Sequence, residues 1–481
     1  MHLIPASWSH LHILVSVFPS VGLIFALGFY VTSLIKNNQV MQRTCLVLFG
    51  LMGLLAIPTY FSGVGSMALL SKDPKISLDM MNTHLIWSYA ALAALVLTAV
   101  ASSLEVWRSQ RAGHLSDQAL NVVLALAIVT LGLMAIVGEL GWEINHHELQ
   151  VGLHGNTGIS GSDIPEGMGT PQTWSHVHII LNHFPTVGFV FALFFFVLSL
   201  ILNNDLMKRS SLVAFTICGL LGVPTYVTGA AAMWALTDPP MPGISKALIN
   251  AHRDWALISL FGLGFTGGAA WIELWRYRHL GRFSSRSLFV VLAFAIITLG
   301  VMAETGHRGG QINHPEIRLA TDTVPTAKDQ DAGYTTPAIE SEINNVIWFV
   351  PWQTLHFFGY SMIFGTVLLV VARVLGFWKS VPFSAVHRLL PLAFFGVVMN
   401  VFSGMLMLLA DTFRYVNETT FAPKIALIAI GGIAALYFSL SEKLWAVKAG
   451  DDAPASAKAV AVLVLLAWTG VIMGGRLLPY M

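Results

Sequence analysis

VHIILNHFPTVGFVFALFFFVLSLIL, residues 177–202, contains no Asp, Glu, Lys or Arg. At ~1.5 Å per residue, a helix of this length exceeds the ~30 Å hydrocarbon core of a bilayer. Similar stretches recur along the whole chain. Twelve spans are expected, at about 11–35, 45–70, 84–107, 119–139, 177–202, 211–236, 252–275, 287–306, 346–375, 386–410, 422–441 and 459–479. Lipid offers backbone N–H and C=O groups no partner, so spans in this number should all be helices. Composition agrees, with 55 % hydrophobic and 11 % charged residues in 481 and a mean hydropathy of +0.70. Soluble domains carry about 25 % charged residues. The expected fold is all-α and integral to a membrane, in contact with lipid, with no nucleic-acid role.

An internal repeat organises these spans. NNQVMQRTCLVLFGLMGLLAIPTYFSG (37–63) aligns with NNDLMKRSSLVAFTICGLLGVPTYVTG (203–229) at an offset of 166. After a two-residue insertion the offset becomes 168, pairing His84 with His252, TLGLMA (130–135) with TLGVMA (298–303), and INHHE (144–148) with INHPE (312–316). An even number of spans per copy keeps both copies parallel. The expected organisation is a degenerate first four-helix module (1–148), a linker (149–173), a His-rich second module (174–317), a linker (318–345) and a divergent third four-helix module (346–481).

Sixteen of the 26 basic residues, Lys36 to Lys458, follow odd-numbered spans. The positive-inside rule places these loops in the cytoplasm and both termini outside, in the periplasm if the membrane is a bacterial inner membrane. No cleavable signal is expected, because the N-terminus lacks a basic region and its apolar run is a full span. Cys45 and Cys218 fall within spans at unmatched repeat positions, so no structural disulfide is expected.

Of the 17 histidines, all but His114, His279 and His387 lie outside or in the outer third of the membrane. Neutral imidazole is a common metal ligand, and ionisable groups within spans are functional candidates. His183 and His252, on different helices at one depth, are the expected axial ligands of a haem b iron, with His307 as a competing second ligand. Gly188, Gly222, Gly229 and Ala230–Ala232 would make room for the porphyrin. Glu304, one turn before His307, would bond a ligand imidazole or relay a proton, and Glu139 occupies the position of His307 in the first copy. That copy has Val17 where the second has His183, leaving His84 as its remaining inner histidine and predicting an empty or altered site. His356 is the corresponding histidine of the third module, with Lys424 at its depth. His10, His12, His176 and His178 read as interfacial anchors. The repeated Glu-x-Trp-Arg reads as a snorkelling anchor at the cytoplasmic surface.

At HFP (183–185), His252 and GHRGGQINH (306–314), the second module resembles a family of bacterial four-helix membrane proteins with a His-Phe-Pro motif. The first module is similar to a degenerate copy. The third, through WQTLHFFG (352–359), HRLLPLAFFG (387–396) and FAPKIALI (421–428), resembles another cytochrome-like four-helix membrane family. The resemblance implies haem b.

Together these readings predict a membrane electron-transfer subunit that exchanges electrons between quinone and a periplasmic partner, a cytochrome c or a dehydrogenase, near the outer face. No catalytic residue is legible; the expected role is a non-catalytic or quinone-reactive subunit of a membrane oxidoreductase complex. Two alternatives stand beside it. One is a transporter of copper or a small solute using the His and Met side chains. The other is a haem-free anchor for a periplasmic enzyme.

Overall fold

A computed structural model of the chain describes residues 5, 7–72, 76–145, 171–237, 245–314, 318 and 346–478. The first repeat contains α1 (Trp8–Ser16), α2 (Val21–Ile35), α3 (Gln39–Leu70), α4 (Leu78–Ala112) and α5 (Asp117–Asn145). The second contains α6 (Pro171–Ile201), α7 (Asp205–Thr237), α8 (Lys246–Leu280) and α9 (Ser285–Asn313). The third segment contains α10 (Val346–Leu375), α11 (Phe383–His387), α12 (Leu390–Ala410), α13 (Thr412–Asn417), α14 (Phe421–Leu440), α15 (Glu442–Trp445) and α16 (Ala455–Leu477). Among the described residues there is no strand, and twelve helical spans are long and apolar enough to cross a membrane. The first span is α1 with α2, and the tenth is α11 with α12. The protein is an all-α, multi-pass membrane protein. Apart from 171–173 and 318, the expected linkers lie outside the described residues, as do His146 and His147.

The duplication extends to single dihedral angles. Asn37 and Asn203, at the turn after the first span of each repeat, both have φ of 46°. Asparagine tolerates this left-handed region better than most residues. Gly113 and Gly281 end α4 and α8 with φ of 80° and 68°, the usual left-handed C-cap. Thr98 bonds Thr130 across α4 and α5 at 2.9 Å, and Thr266 bonds Thr298 across α8 and α9 at 3.1 Å.

The repeated Glu-x-Trp-Arg differs from the expected snorkelling anchor. Glu105 and Glu273 are buried, at 3 % and 0 % exposure. Arg108 donates to both Glu105 oxygens at 2.7 Å, and the Ser116 N–H donates to Oε1 at 2.7 Å. The Ser284 N–H likewise donates to Glu273 at 2.7 Å, with Arg276 3.6 Å away. Each carboxylate therefore ties the following inter-helix turn to its own helix. A carboxylate so engaged has no need to reach water, whereas Trp107 is exposed.

The two repeats meet along α2 and α6 through equivalent residues. Phe29 stacks on Phe195 with centroids 3.9 Å apart, Phe25 lies 6.1 Å from Phe191, and the Asn204 amide donates to Asn38 at 3.3 Å. The members of each pair are 166 positions apart. Gly22 lies against Phe191 while its equivalent Gly188 lies against Phe25, so the contact is reciprocal. Such isologous contact defines a local two-fold axis. Because the repeats are parallel, the axis runs along the membrane normal.

The shared Phe-Pro behaves differently in the two copies. Pro19 lies in a turn, Val17–Ser20, that separates α1 from α2. Pro185 lies within a continuous α6. Pro185 lacks the N–H that would bond the Leu181 carbonyl, and side-chain donors beside it bond other carbonyls of the same turn. In α6, His183 Nδ1–H donates to the Ile179 carbonyl and Thr186 donates to the Asn182 carbonyl at 2.7 Å. Val17 has no group to offer at the matching position.

The second repeat also contacts the third segment. Trp271 donates to Ser439 and Trp275 to the His387 carbonyl, both at 3.0 Å, and Leu220 fills the space beside Gly432. His387 is buried, at 1 % exposure, with its ring 5.7 Å from His279 and 4.9 Å from Trp445. Cys45 and Cys218 are buried and free.

Candidate functional site

Five imidazoles are built into the protein in one way. His12 Nδ1 is 3.0 Å from the Thr59 carbonyl and 3.3 Å from the Ser62 hydroxyl. Its equivalent His178 is 3.1 Å from the Thr225 carbonyl and 3.3 Å from the Thr228 hydroxyl. His84 Nδ1 meets the Val137 carbonyl at 3.1 Å, and His252 meets Thr305 at 3.0 Å. His356 Nδ1 meets the Ser403 hydroxyl at 3.0 Å, and that hydroxyl itself donates to the Met399 carbonyl at 2.6 Å. A carbonyl can only accept, so Nδ1 carries the proton in the first four; the committed Ser403 hydroxyl imposes the same on His356. Nε2 is then the basic nitrogen, the arrangement by which an outer hydrogen bond orients a metal-binding histidine.

Beneath each ring is a glycine. A Cβ at Gly63, Gly229, Gly141, Gly309 or Gly404 would meet Cε1 of His12, His178, His84, His252 or His356 at 3.0, 2.8, 3.1, 2.8 or 3.2 Å. No side chain fits at the closer of these positions without moving the ring. The glycines set the rings' depth and let adjacent helices approach.

His178 and His252 face each other from α6 and α8, with ring centroids 6.5 Å apart and planes at 74°. A metal midway between two Nε2 atoms, about 2 Å from each, would set the centroids about 6 Å apart. His12 and His84 are the equivalent pair on α1 and α4, and His84 is within electrostatic reach of His12. All four rings line one cavity of about 1190 Å³ that is continuous across the repeat interface. A single-ligand pocket is about 300–1,000 Å³. None of the four Nε2 atoms has a hydrogen-bond partner among the described residues.

This pairing differs from the one expected. The ring facing His252 is His178, whereas His183 stacks on Trp142 of the first repeat, with centroids 5.6 Å apart. The first repeat keeps the equivalent pair, His12 with His84, although it has Val17 in place of His183. His307 lies 6.2 Å from His10 across the interface and 3.3 Å from the Gln311 amide. Glu304 pairs with Arg308 at 2.8 Å rather than with an imidazole. Glu139 pairs with His176 at 3.5 Å. Because His176 is equivalent to His10 and Glu139 to His307, these contacts are two-fold mates with different chemistry. Of the small residues expected to make room, Gly229 lies under His178, Gly222 lines the cavity beside Leu260, and Gly188 belongs to the interface.

Sequence reasoning took His12 and His178 for anchors because each is one of a His-x-His pair near an interface, a usual place for them. The available signal was the Ser/Thr-Gly dipeptide near the outer end of each following span: Ser62-Gly63, Thr228-Gly229 and Ser403-Gly404. A hydroxyl and a missing Cβ at one level form a seat for an imidazole.

Comparison with protein-family models, curated proteins and solved structures found no match to this chain.

Proposed function

We propose that this protein is a membrane electron-transfer subunit whose repeats each hold one haem b, between His12 and His84 in the first and between His178 and His252 in the second. The observation that carries this reading is the opposed imidazole pair: two rings with Nδ1 bonded to a carbonyl, each seated on a glycine, with Nε2 left toward a shared cavity. Among the described residues, no three His, Cys, Asp or Glu side chains converge as a metal-binding group. Two imidazoles suit an iron whose equatorial ligands come with it, and suit a bare copper ion less well. Haem supplies one-electron exchange at a potential set by its ligands and by the apolar surroundings. The chain's own residues hold the ligand rings at a fixed tautomer and angle.

Both pairs lie toward one side of the membrane. The excess of basic loop residues on the opposite side supports reading theirs as the periplasmic face of a bacterial inner membrane, with both termini there. Electrons would pass between quinone and a periplasmic redox partner at that face. The interface supplies groups suited to quinone protons, since His10, His307 and Glu139 border the same cavity and His176 lies beside Glu139.

The test is the reduced-minus-oxidised absorption spectrum of the purified protein, with haem counted per chain. Haem b bands are expected, and His178→Ala or His252→Ala should each remove the second repeat's share. A protein purified without haem but with stoichiometric copper would overturn the reading.

A further inference from the structure

The third segment repeats the construction with one substitution. His356, on α10, is seated on Gly404 and bonded to Ser403 of α12, as His12 is seated on Gly63 and bonded to Ser62 of α3. In the repeats, the opposing imidazole comes from near the outer end of the third span and lies on a glycine near the end of the fourth. In the third segment, Lys424 holds that position on α14. Its Cβ side lies 3.2 Å from the place of a Cβ at Gly474, and its Nζ lies 3.5 Å from that of Gly475, both on α16. Lys424 and His356 are within electrostatic reach of each other.

The Lys424 side chain has no hydrogen bond or ion pair among the described residues. A lone ammonium within a span is costly, and such residues normally find a partner or lose the proton. A neutral amine has one lone pair and is a competent ligand for iron. The Asn400 amide donates to the His356 carbonyl at 2.7 Å, fixing the helix turn that carries the imidazole.

We propose that His356 and Lys424 are a ligand pair of mixed type, holding a third haem through one imidazole and one unprotonated amine. This rests on the haem reading of the two repeats. Lys424, as a neutral amine, would hold the group from the side that His84 and His252 occupy in the repeats. The resulting site has a harder, more basic ligand than an imidazole, so its potential and spectrum differ from those of the repeat sites.

The experiment counts haem per full-length chain and records low-temperature EPR of the oxidised protein, for the wild type and for Lys424→Ala, Lys424→His and His356→Ala. Three haems per chain are expected, with one low-spin signal distinct from the bis-imidazole signals. Lys424→Ala and His356→Ala should lower the count to two and remove that signal. Lys424→His should keep three and convert the signal to the bis-imidazole type. The haems of the repeats report that each variant is folded. Two haems in the wild type, unchanged in Lys424→Ala, would overturn this proposal and leave the repeat sites standing. Three haems in Lys424→Ala with all signals retained would also overturn it, making the lysine a partner for a carboxylate or lipid headgroup. No haem in any protein would overturn the proposed function itself.

Discussion

The two repeats share the same pair of seated imidazoles and differ around it. His12 with His84 and His178 with His252 use the same carbonyls, hydroxyl positions and glycines. At the outer part of the interface equivalence ends: His10 meets His307, but their mates His176 and Glu139 form a histidine–carboxylate contact. His183 meets Trp142, whereas the equivalent positions hold Val17 and Gly310. The groups that seat the imidazoles (a carbonyl, a hydroxyl on one ring and a glycine) are the same in both repeats, whereas the contacts on the shared outer wall differ. The sites are therefore built alike but are placed in unlike surroundings.

The strongest way to break this comparison is to remove one pair at a time. His12→Ala should remove the first repeat's haem, His178→Ala the second's, and the double variant both, as counted by the pyridine haemochrome. If one substitution removed both, the sites would depend on each other and the equivalence would fail. The reciprocal contact comes next. Leu at Gly22 or at Gly188 drives a side chain into Phe191 or Phe25, where even a Cβ would sit 2.7 or 2.5 Å away. Each should cost about 1–3 kcal/mol, read by thermal unfolding in detergent, and the two should agree closely if the axis is real.

The buried glutamates sharpen the comparison at the cytoplasmic ends. Glu105→Gln should destabilise by about 1–2 kcal/mol and Glu273→Gln by less. Glu105 holds its arginine through two bonds of 2.7 Å, whereas Arg276 is 3.6 Å from Glu273. The smallest effect should come from His183→Val, which writes the first repeat's residue into the second. It should cost about 1 kcal/mol or less through the lost Ile179 bond and leave the full absorption spectrum in place. Loss of a haem in this variant would return His183 to the ligand set.

Spans and duplication were plain in the sequence because lipid imposes a simple rule: about 20 apolar residues in helical form. The candidate site was half legible. The depth and helix of His84, His252 and His356 can be read from their place in the spans. Choosing between His178 and His183 requires knowing which face of α6 looks toward α7 and α8. Nor could periodicity show that Glu304 would be taken by Arg308. That contact is set by an i,i+4 neighbour on the same helix, and both orientations of Glu304 satisfy the hydropathy pattern.

The two-fold contact between α2 and α6 has a further consequence. An interface in which Gly22 meets Phe191 and Gly188 meets Phe25 is what two copies of one four-helix chain would form as a homodimer, with every substitution appearing twice. Joining the copies in one polypeptide removes that constraint. A histidine can then face a carboxylate on one flank while two histidines face each other on the opposite flank, an asymmetry closed to any symmetric pair. Fusion thus turns an assembly with two interchangeable halves into one with a distinguishable left and right.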